Sequence, residues 1–286
     1  MPTTWTAVAV TAPAALAEAI ESFLLDHGAP GLQTEDTPDG VRVTAHFADA
    51  PPLAALDQLF DSLIALHPSG ARPQVTLANV ADSGWAENWK AHFPPLLIGE
   101  RLYVHPPWLA ASDAPDGRHA IVLDPGMAFG TGHHASTRGC LILLERALQR
   151  GGRVLDIGTG SGILAIAAVK LGSGPVWGIE IDPDACAVAA ENAAANQVAT
   201  GIRFGLDLAD AGGLFDVILA NLFANQLVDL APTIAARLQP GGTAIGAGIL
   251  SAEADAVHGA WRAAGLRPAG EHPEDGWVAL AYERPA

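Results

Sequence analysis

The chain is poor in residues on which several large protein classes depend. It has two cysteines, Cys140 and Cys186, and no CxxC pair. That excludes a disulfide scaffold and a thiolate zinc site as organising principles. Both thiols fall in apolar helical patterns, where buried free cysteines in a reducing compartment are expected. Bases are also scarce: 15 Lys and Arg stand against 31 Asp and Glu, a net charge of −16. Such a surface is unsuited to wrapping bare nucleic acid, which takes many Lys and Arg contacts to phosphate. It steers encounter with a basic partner instead. No apolar run reaches the ~20 residues of a membrane span. The opening MPTTWTAVAV lacks the basic segment of a signal peptide. A cytoplasmic, monomeric protein with no membrane anchorage and no direct DNA binding is expected.

The material of a packed core is plentiful. Half of the residues are hydrophobic and 16% are charged, over a length that suits one large or two ordinary domains. Residues 1–80 read as a small α+β unit. Trp5–Val10 and Val41–Phe47 alternate as half-buried strands do, and Gly31–Thr34 and Gln74–Asn79 complete a set of four. Two helices lie between them. One opens at Pro13 with Leu16, Ile20, Phe23 and Leu24 on a face, and the other follows Pro51-Pro52 with Leu53, Leu56, Phe60, Leu63 and Ile64. The order βαββαβ is the ferredoxin-like pattern. Nine acids and two bases give this segment a charge of −7, and no catalytic constellation stands in it. It reads as a recognition domain or as a stabilising appendage. The stretch Asp82–Phe93, with Trp85 and Trp89 one turn apart, is expected to be a linker helix within residues 81–95.

The organising stretch of the remainder, residues 96–286, is Val154-Leu155-Asp156-Ile157-Gly158-Thr159-Gly160-Ser161-Gly162. An apolar run enters a glycine turn and an alanine-rich helix leaves it. A second run, Val176–Ile179, ends in Glu180, where a doubly wound sheet holds a ribose diol. A nucleoside cofactor is therefore expected. The dinucleotide fingerprint has its third glycine one residue later than here, and the Asp156 carboxylate would repel a pyrophosphate. A cofactor with an ammonium group and no phosphate fits better, and S-adenosylmethionine is such a molecule.

Further candidates follow from position. Asp124–Thr137 is glycine-dense and precedes a helix running to Arg150. In it Phe129, Gly130 and Thr131 are placed to cover a cofactor, and Thr137 to hydrogen-bond its methionine part, unless the loop is simply flexible. His133 and His134 are a poor metal site: adjacent side chains diverge and no carboxylate or Cys stands at ligand spacing. No metal is expected. Asp182 and Pro183 read as N-cap and N1 of a helix that ends near Asn196. Asp207, after the third strand, either contacts an adenine amino group or is a solvated loop acid. The fourth strand, Phe215–Ala220, ends in Asn221-Leu222-Phe223-Ala224. Asn221 and the Leu222 carbonyl can accept hydrogen bonds from an amine and orient it for attack on a methyl group; alternatively Asn221 caps the next helix. A fifth strand (Thr243–Ile249), a helix capped by Ser251, and an antiparallel pair (Leu266–Ala269, Trp277–Tyr282) complete the sheet.

Several motifs together carry a resemblance: DSGWAENWKAHF, DPGMAFGTGHHAST, VLDIGTGSGILAIAAVKLG, GIEIDP and ANLFANQL. Residues 124–286 resemble a class I S-adenosylmethionine-dependent methyltransferase. The whole chain is similar to the ribosomal protein methyltransferases of PrmA type, which act on protein eleven of the large subunit. The resemblance implies a seven-stranded Rossmann-like methyltransferase domain preceded by a ferredoxin-like substrate-recognition domain. It also implies methylation of lysine ε-amines and of the N-terminal α-amine of that ribosomal protein. By position, Thr137, Gly158, Glu180 and Asn221 match the family's cofactor contacts, and Phe129 and the loop to His133 its cofactor cover. The chain departs from the family at His133-His134-Ala135-Ser136-Thr137, often Thr-His-Pro-Thr-Thr, and at Glu180, often Asp. The competing functions are methylation of another protein or a small-molecule amine, a non-catalytic cofactor-binding module, and an NAD-dependent oxidoreductase.

Overall fold

The computed structural model describes residues 4–13, 16–29, 31–37, 40–47, 51, 53–66, 71–81, 93–124, 132–148 and 151–286. The chain divides into two compact units, Met1–His92 and Phe93–Ala286. The expected linker helix over residues 82–93 lies almost wholly outside the described residues.

In the first unit the strands are β1 (Thr4–Ala12), β2 (Leu32–Thr37), β3 (Gly40–Phe47) and β4 (Gln74–Ala81), with helices α1 (Ala17–Asp26) and α2 (Leu53–Leu66). The sheet order is β2-β3-β1-β4, antiparallel at every pairing. Alternation explains the packing. Val8, Val10 and Ala12 of β1 and Val41, Val43, Ala45 and Phe47 of β3 form one cluster with Ile20 and Leu24 of α1 and Leu56, Phe60 and Leu63 of α2. Val75 and Leu77 of β4 are exposed, as on an antiparallel sheet that is covered on one side. Helix α1 starts later than Pro13 suggests: Pro13 accepts from the Leu16 N–H in a preceding turn, and Leu16 is an N-cap without a side-chain acceptor.

The second unit has a mixed α/β architecture. A small sheet of β5 (Leu96–Ile98), β6 (Leu102–His105) and β7 (His119–Val122) precedes the main one. The main sheet contains β8 (Val154–Ile157), β9 (Val176–Ile179), β10 (Ile202–Gly205), β11 (Phe215–Asn221), β12 (Leu238–Leu250), β13 (Arg267–Glu274) and β14 (Trp277–Glu283). Its order is β10-β9-β8-β11-β12-β14-β13, parallel from β10 to β12 and antiparallel around β14. The helices are α3 (Ala135–Ala147), α4 (Ile163–Lys170), α5 (Pro183–Ala195), α6 (Ala224–Arg237) and α7 (Ala254–Ala263).

Successive residues of β11 feed opposite cores: Val217 and Leu219 pack with α3 and α4, Ile218 and Ala220 with α6 and α7. Both faces are thus covered, which is why the strands read as continuous apolar runs. The end of the chain differs from expectation in one respect. Ser251–Glu253 form a 3-10 turn and α7 begins at Ala254. Ser251 does not cap it; its N–H and hydroxyl both donate to the Gly276 carbonyl, at 2.9 and 3.0 Å. Cys140 is buried as expected, whereas Cys186 is only partly so. Among the described residues no helix is long and apolar enough to cross a membrane.

Trp261 of α7 is fully buried and donates its indole N–H to the Leu227 carbonyl of α6 at 3.1 Å. Trp261→Ala is expected to cost about 3–5 kcal/mol, read as a loss of stability of the second unit in urea unfolding.

Candidate functional site

The glycine loop joins β8 to α4, and its backbone takes positive φ at Gly158, 72°. A Cβ on Gly158 would lie 2.5 Å from Cδ2 of Leu222. The close approach that demands glycine is therefore to the residue after β11, and the loop and the Asn221-Leu222 segment are packed as one piece. The loop N–H groups are engaged internally. Gly158 and Thr159 donate to the Ile179 carbonyl (2.8 and 3.0 Å), Gly162 to the Thr159 carbonyl (2.8 Å), and Gly160 to Oε2 of Glu180 (3.0 Å). A phosphate cradle needs such groups directed at the ligand; here a carboxylate occupies one of them. This argues against a pyrophosphate and for a phosphate-free nucleoside cofactor.

Glu180 follows β9 and is held at both oxygens, the second by the Asp182 N–H at 3.3 Å. Asp182 in turn caps α5 by accepting from Asp184 N–H at 2.9 Å, with Pro183 at N1. These constraints aim Glu180 at a cleft of about 850 Å³, also lined by Gly158, Gly160, Asn221 and Leu222. Its other carboxylates are Asp182, Asp184 and Asp229, and among the described lining residues there is no Lys, Arg or His. The field in the cleft favours a cation, and a sulfonium nucleoside fits that donor set.

At the end of β11, Asn221 does not cap α6. Phe223 is the N-cap and its N–H meets Oε1 of Gln226 at 3.2 Å. The Asn221 Nδ2 donates instead to the hydroxyl of Thr137 at 3.2 Å, which leaves Oδ1 as the acceptor. Thr137 is fully buried. It is not among the described residues that line the cleft. Thr137 is itself fixed by the start of α3. His134 is the N-cap, its Nδ1 pairing with the Ser136 hydroxyl at 2.7 Å, and its ring meets Trp277 edge-on at 4.6 Å. Arg138 forms an ion pair with Glu274 at 2.8 Å.

Two other candidates take unexpected positions. Asp156 is fully buried, and its Oδ2 accepts from Thr159 Oγ1 at 2.5 Å. Desolvation pushes its carboxyl up to about 7, Glu180 adding to the shift while the Thr159 hydroxyl and the Ala165 amide oppose it. Oδ1 of Asp156 has no hydrogen-bond partner among the described residues. Asp207 is exposed and caps the 3-10 turn Leu208–Asp210, accepting from Ala209 N–H at 2.7 Å. Phe129, Gly130 and Thr131 lie outside the described residues. His133 and His134 diverge, the former packing edge-on against Phe93 at 5.3 Å. No group of three metal-capable side chains occurs among the described residues. Sequence reasoning missed the lining role of Ile181, Gln226 and Asp229, and the support that Thr137 gives Asn221, which only tertiary contact reveals.

The sequence pattern of a family described as ribosomal protein L11 methyltransferase (PrmA) matches residues 4–285. The chain belongs to this family. A protein named ribosomal protein L11 methyltransferase from Geobacter metallireducens is 40% identical over 299 residues, covering 99% of both chains. One of the same name from Pelobacter propionicus is 37% identical over 308 residues, covering 100% of this chain and 99% of that one. The crystal structure of a ribosomal protein L11 methylase from Lactobacillus delbrueckii subsp. bulgaricus superposes with a TM-score of 0.62 at 32% identity, over 68% of this chain and 99% of that chain. As a PrmA-family enzyme the chain is an S-adenosylmethionine-dependent methyltransferase of ribosomal protein L11.

The buried Asp156 gives a pH dependence. Its folded pKa of about 7 lies above the ordinary 3.8, so the folded state binds more protons between those values and loses stability as pH rises through them. Asp156→Asn removes that loss. Its stability relative to wild type is expected to grow from pH 5 to pH 7, at no more than about 1.4 kcal/mol per pH unit. Thermal unfolding at the two pH values checks it; a constant difference would show that Asp156 is ionised throughout.

Proposed function

We propose that the enzyme methylates lysine ε-amines and the N-terminal α-amine of ribosomal protein L11, with Asn221 and the Leu222 carbonyl as the groups that hold the amine. The supporting observation is the Asn221–Thr137 hydrogen bond at 3.2 Å, which presents the carbonyl end of Asn221 as an acceptor beside the cleft. In the cofactor subsite Glu180 would hold the ribose diol, and Gly158 and Gly160 would form the floor under the nucleoside. Phe129, Gly130 and Thr131 would cover it. Asp207 would approach the base from the end of β10. Asp156 and Thr137 act from beneath, Asp156 by bracing Thr159 and Thr137 by fixing Asn221.

S-adenosylmethionine supplies an electrophilic methyl group on a sulfonium, whose leaving thioether is neutral. The protein therefore needs little acid–base machinery at that end. What its residues supply is orientation: Oδ1 of Asn221 and the Leu222 carbonyl accept N–H bonds, so the nitrogen lone pair is left pointing away from them. An ammonium has no lone pair, so the amine must first lose a proton. No Lys, His or Cys lines the described cleft, and the proton leaves to solvent. The acidic rim attracts the cationic amine before that loss.

The unit of residues 1–92 is, on this proposal, a ferredoxin-like domain that recognises L11. Its sheet order β2-β3-β1-β4 and its two helices on one face suit that fold. Its acidity, matched to a basic partner, suits that role, in the cytoplasm where ribosomal proteins are made.

Asn221→Ala should lower kcat by about 10²-fold or more while leaving affinity for S-adenosylmethionine nearly unchanged. The two kinds of target should also differ in pH profile. An α-amine, with a pKa of about 8, should level off before a lysine with a pKa of about 10.4. Mass-spectrometric mapping of methyl groups on L11 across pH 7–10 reads both. Full kcat in folded Asn221→Ala would place the amine elsewhere.

A further inference from the structure

We propose that the second unit carries a site for the phosphate group of a small ligand, in a cavity walled by β6, β7 and the ends of α4 and α5 and separate from the cofactor cleft.

The chain has two lysines, Lys90 and Lys170. Lys170 ends α4 and lines a cavity of about 540 Å³ together with His105, Arg118, His119 and Gln197. None of the described lining residues is an Asp or Glu, and none of them lines the cleft beside Glu180. In a protein of net charge −16 whose cofactor cleft is edged by carboxylates, this cavity has the opposite sign. Its volume lies in the range of small-molecule sites.

The cations of the cavity are not matched by carboxylates. Lys170 is partly buried, which lowers its pKa, and its ammonium forms no hydrogen bond or ion pair among the described residues. A lysine that only complemented a helix dipole would do so from solvent, whereas a buried charge without a partner costs free energy. The carbonyls at this end are closed by other donors. Arg101 Nη2 donates to the Leu171 carbonyl at 3.4 Å, and the N–H groups of Gln197 and Val198 donate to Ala194 and Ala193 at 2.9 and 3.0 Å. Burial lowers the pKa of His119, and the charges of Arg101 and Lys170 lower it further, with Glu145 opposing. Glu145 is itself engaged by the N–H groups of Glu100 and Arg101, at 3.0 and 3.2 Å. Arg118 directs its Nη groups to the carbonyls of Leu102 and Gly99, at 2.7 and 3.0 Å, so its contribution to the cavity is mainly charge. These cations repel one another, and an anion among them offsets that repulsion.

His105 selects the kind of anion. It is 4% exposed, its Nδ1 donates to the Pro106 carbonyl at 3.0 Å, and its Nε2 has no hydrogen-bond partner among the described residues. With Nδ1 as donor, Nε2 is an acceptor in the neutral ring and a second donor in the charged one. A phosphate monoester, with a second pKa of about 6, occurs near neutral pH with and without the proton that either state requires. A carboxylate is ionised throughout that range and offers none. The phosphate also brings a double charge to more than one cation. The rest of the wall, Ala111, Ala120, Val122 and Ala195, is apolar and gives room to the body of an ester.

Calorimetry on the full chain tests this, with inorganic phosphate and ribose 5-phosphate as probes at low ionic strength. Saturating S-adenosylmethionine keeps the cofactor cleft closed to both. The wild type is expected to bind at millimolar concentrations or below. Equal affinity for the two probes assigns free phosphate as the ligand and tighter ribose 5-phosphate binding assigns an ester; either supports the site. Lys170→Met, which keeps the stem and removes the charge, is expected to weaken binding by roughly 10- to 100-fold, and Lys170→Arg to retain most of it. Affinity for S-adenosylmethionine is expected to stay at the wild-type value in both. No binding of either probe by the wild type would overturn the proposal. So would undiminished binding in Lys170→Met, or in His119→Gln if the methionine variant does not fold. A parallel fall in S-adenosylmethionine affinity would also overturn it, because the lysine would then hold the fold and not a ligand.

Discussion

The site depends on one hydrogen bond between residues 84 apart in sequence, from Asn221 at the end of β11 to Thr137 in the first turn of α3. Without it the Asn221 amide is free to turn, and its acceptor has no fixed direction. Thr137 is in turn held by the elements that place α3, through His134 on Trp277 and Arg138 on Glu274. Residues in the β13–β14 hairpin thus bear on the geometry of a residue in β11. The antiparallel strands added to an otherwise parallel sheet thus brace, at their turn, the helix that carries Thr137.

The glycine loop follows the same logic of shared packing. Gly158 admits Leu222, and Gly160 binds Glu180, so the walls of the cleft are packed together around the ends of β8, β9 and β11. Buried Asp156 lies beneath this assembly, hydrogen-bonded to Thr159. Its burial raises its pKa, so near neutral pH it shifts toward an uncharged brace. The exposed carboxylates lie on the rim, in Asp182, Asp184 and Asp229. A cation entering the cleft meets those carboxylates and not Asp156.

Much of this was legible in the sequence. The strand–glycine–helix stretch, the acid after Val176–Ile179, the cap at Asp182 with Pro183, and the buried β11 are local patterns whose period and punctuation report local structure. What escaped was set by tertiary contact. Asn221 has a helix cap as its alternative reading in the sequence, and only the position of α3 shows that its amide goes to Thr137. Asp156 read as a charge facing a ligand, because a four-residue strand does not reveal which of its sides is sealed. Ser251 read as a cap, but the hairpin carbonyl of Gly276 takes its donors.

The most direct test of the account is a double-mutant cycle between Thr137 and Asn221, read in kcat on L11 with saturating S-adenosylmethionine. Thr137→Val keeps the shape and removes the hydroxyl, and Thr137→Ser keeps the hydroxyl. The account expects Thr137→Val to lower kcat, Thr137→Ser to retain most of it, and Thr137→Val to have no further effect once Asn221 is Ala, the signature of a coupled pair. Fully additive losses, or equal losses in Thr137→Val and Thr137→Ser, would contradict it.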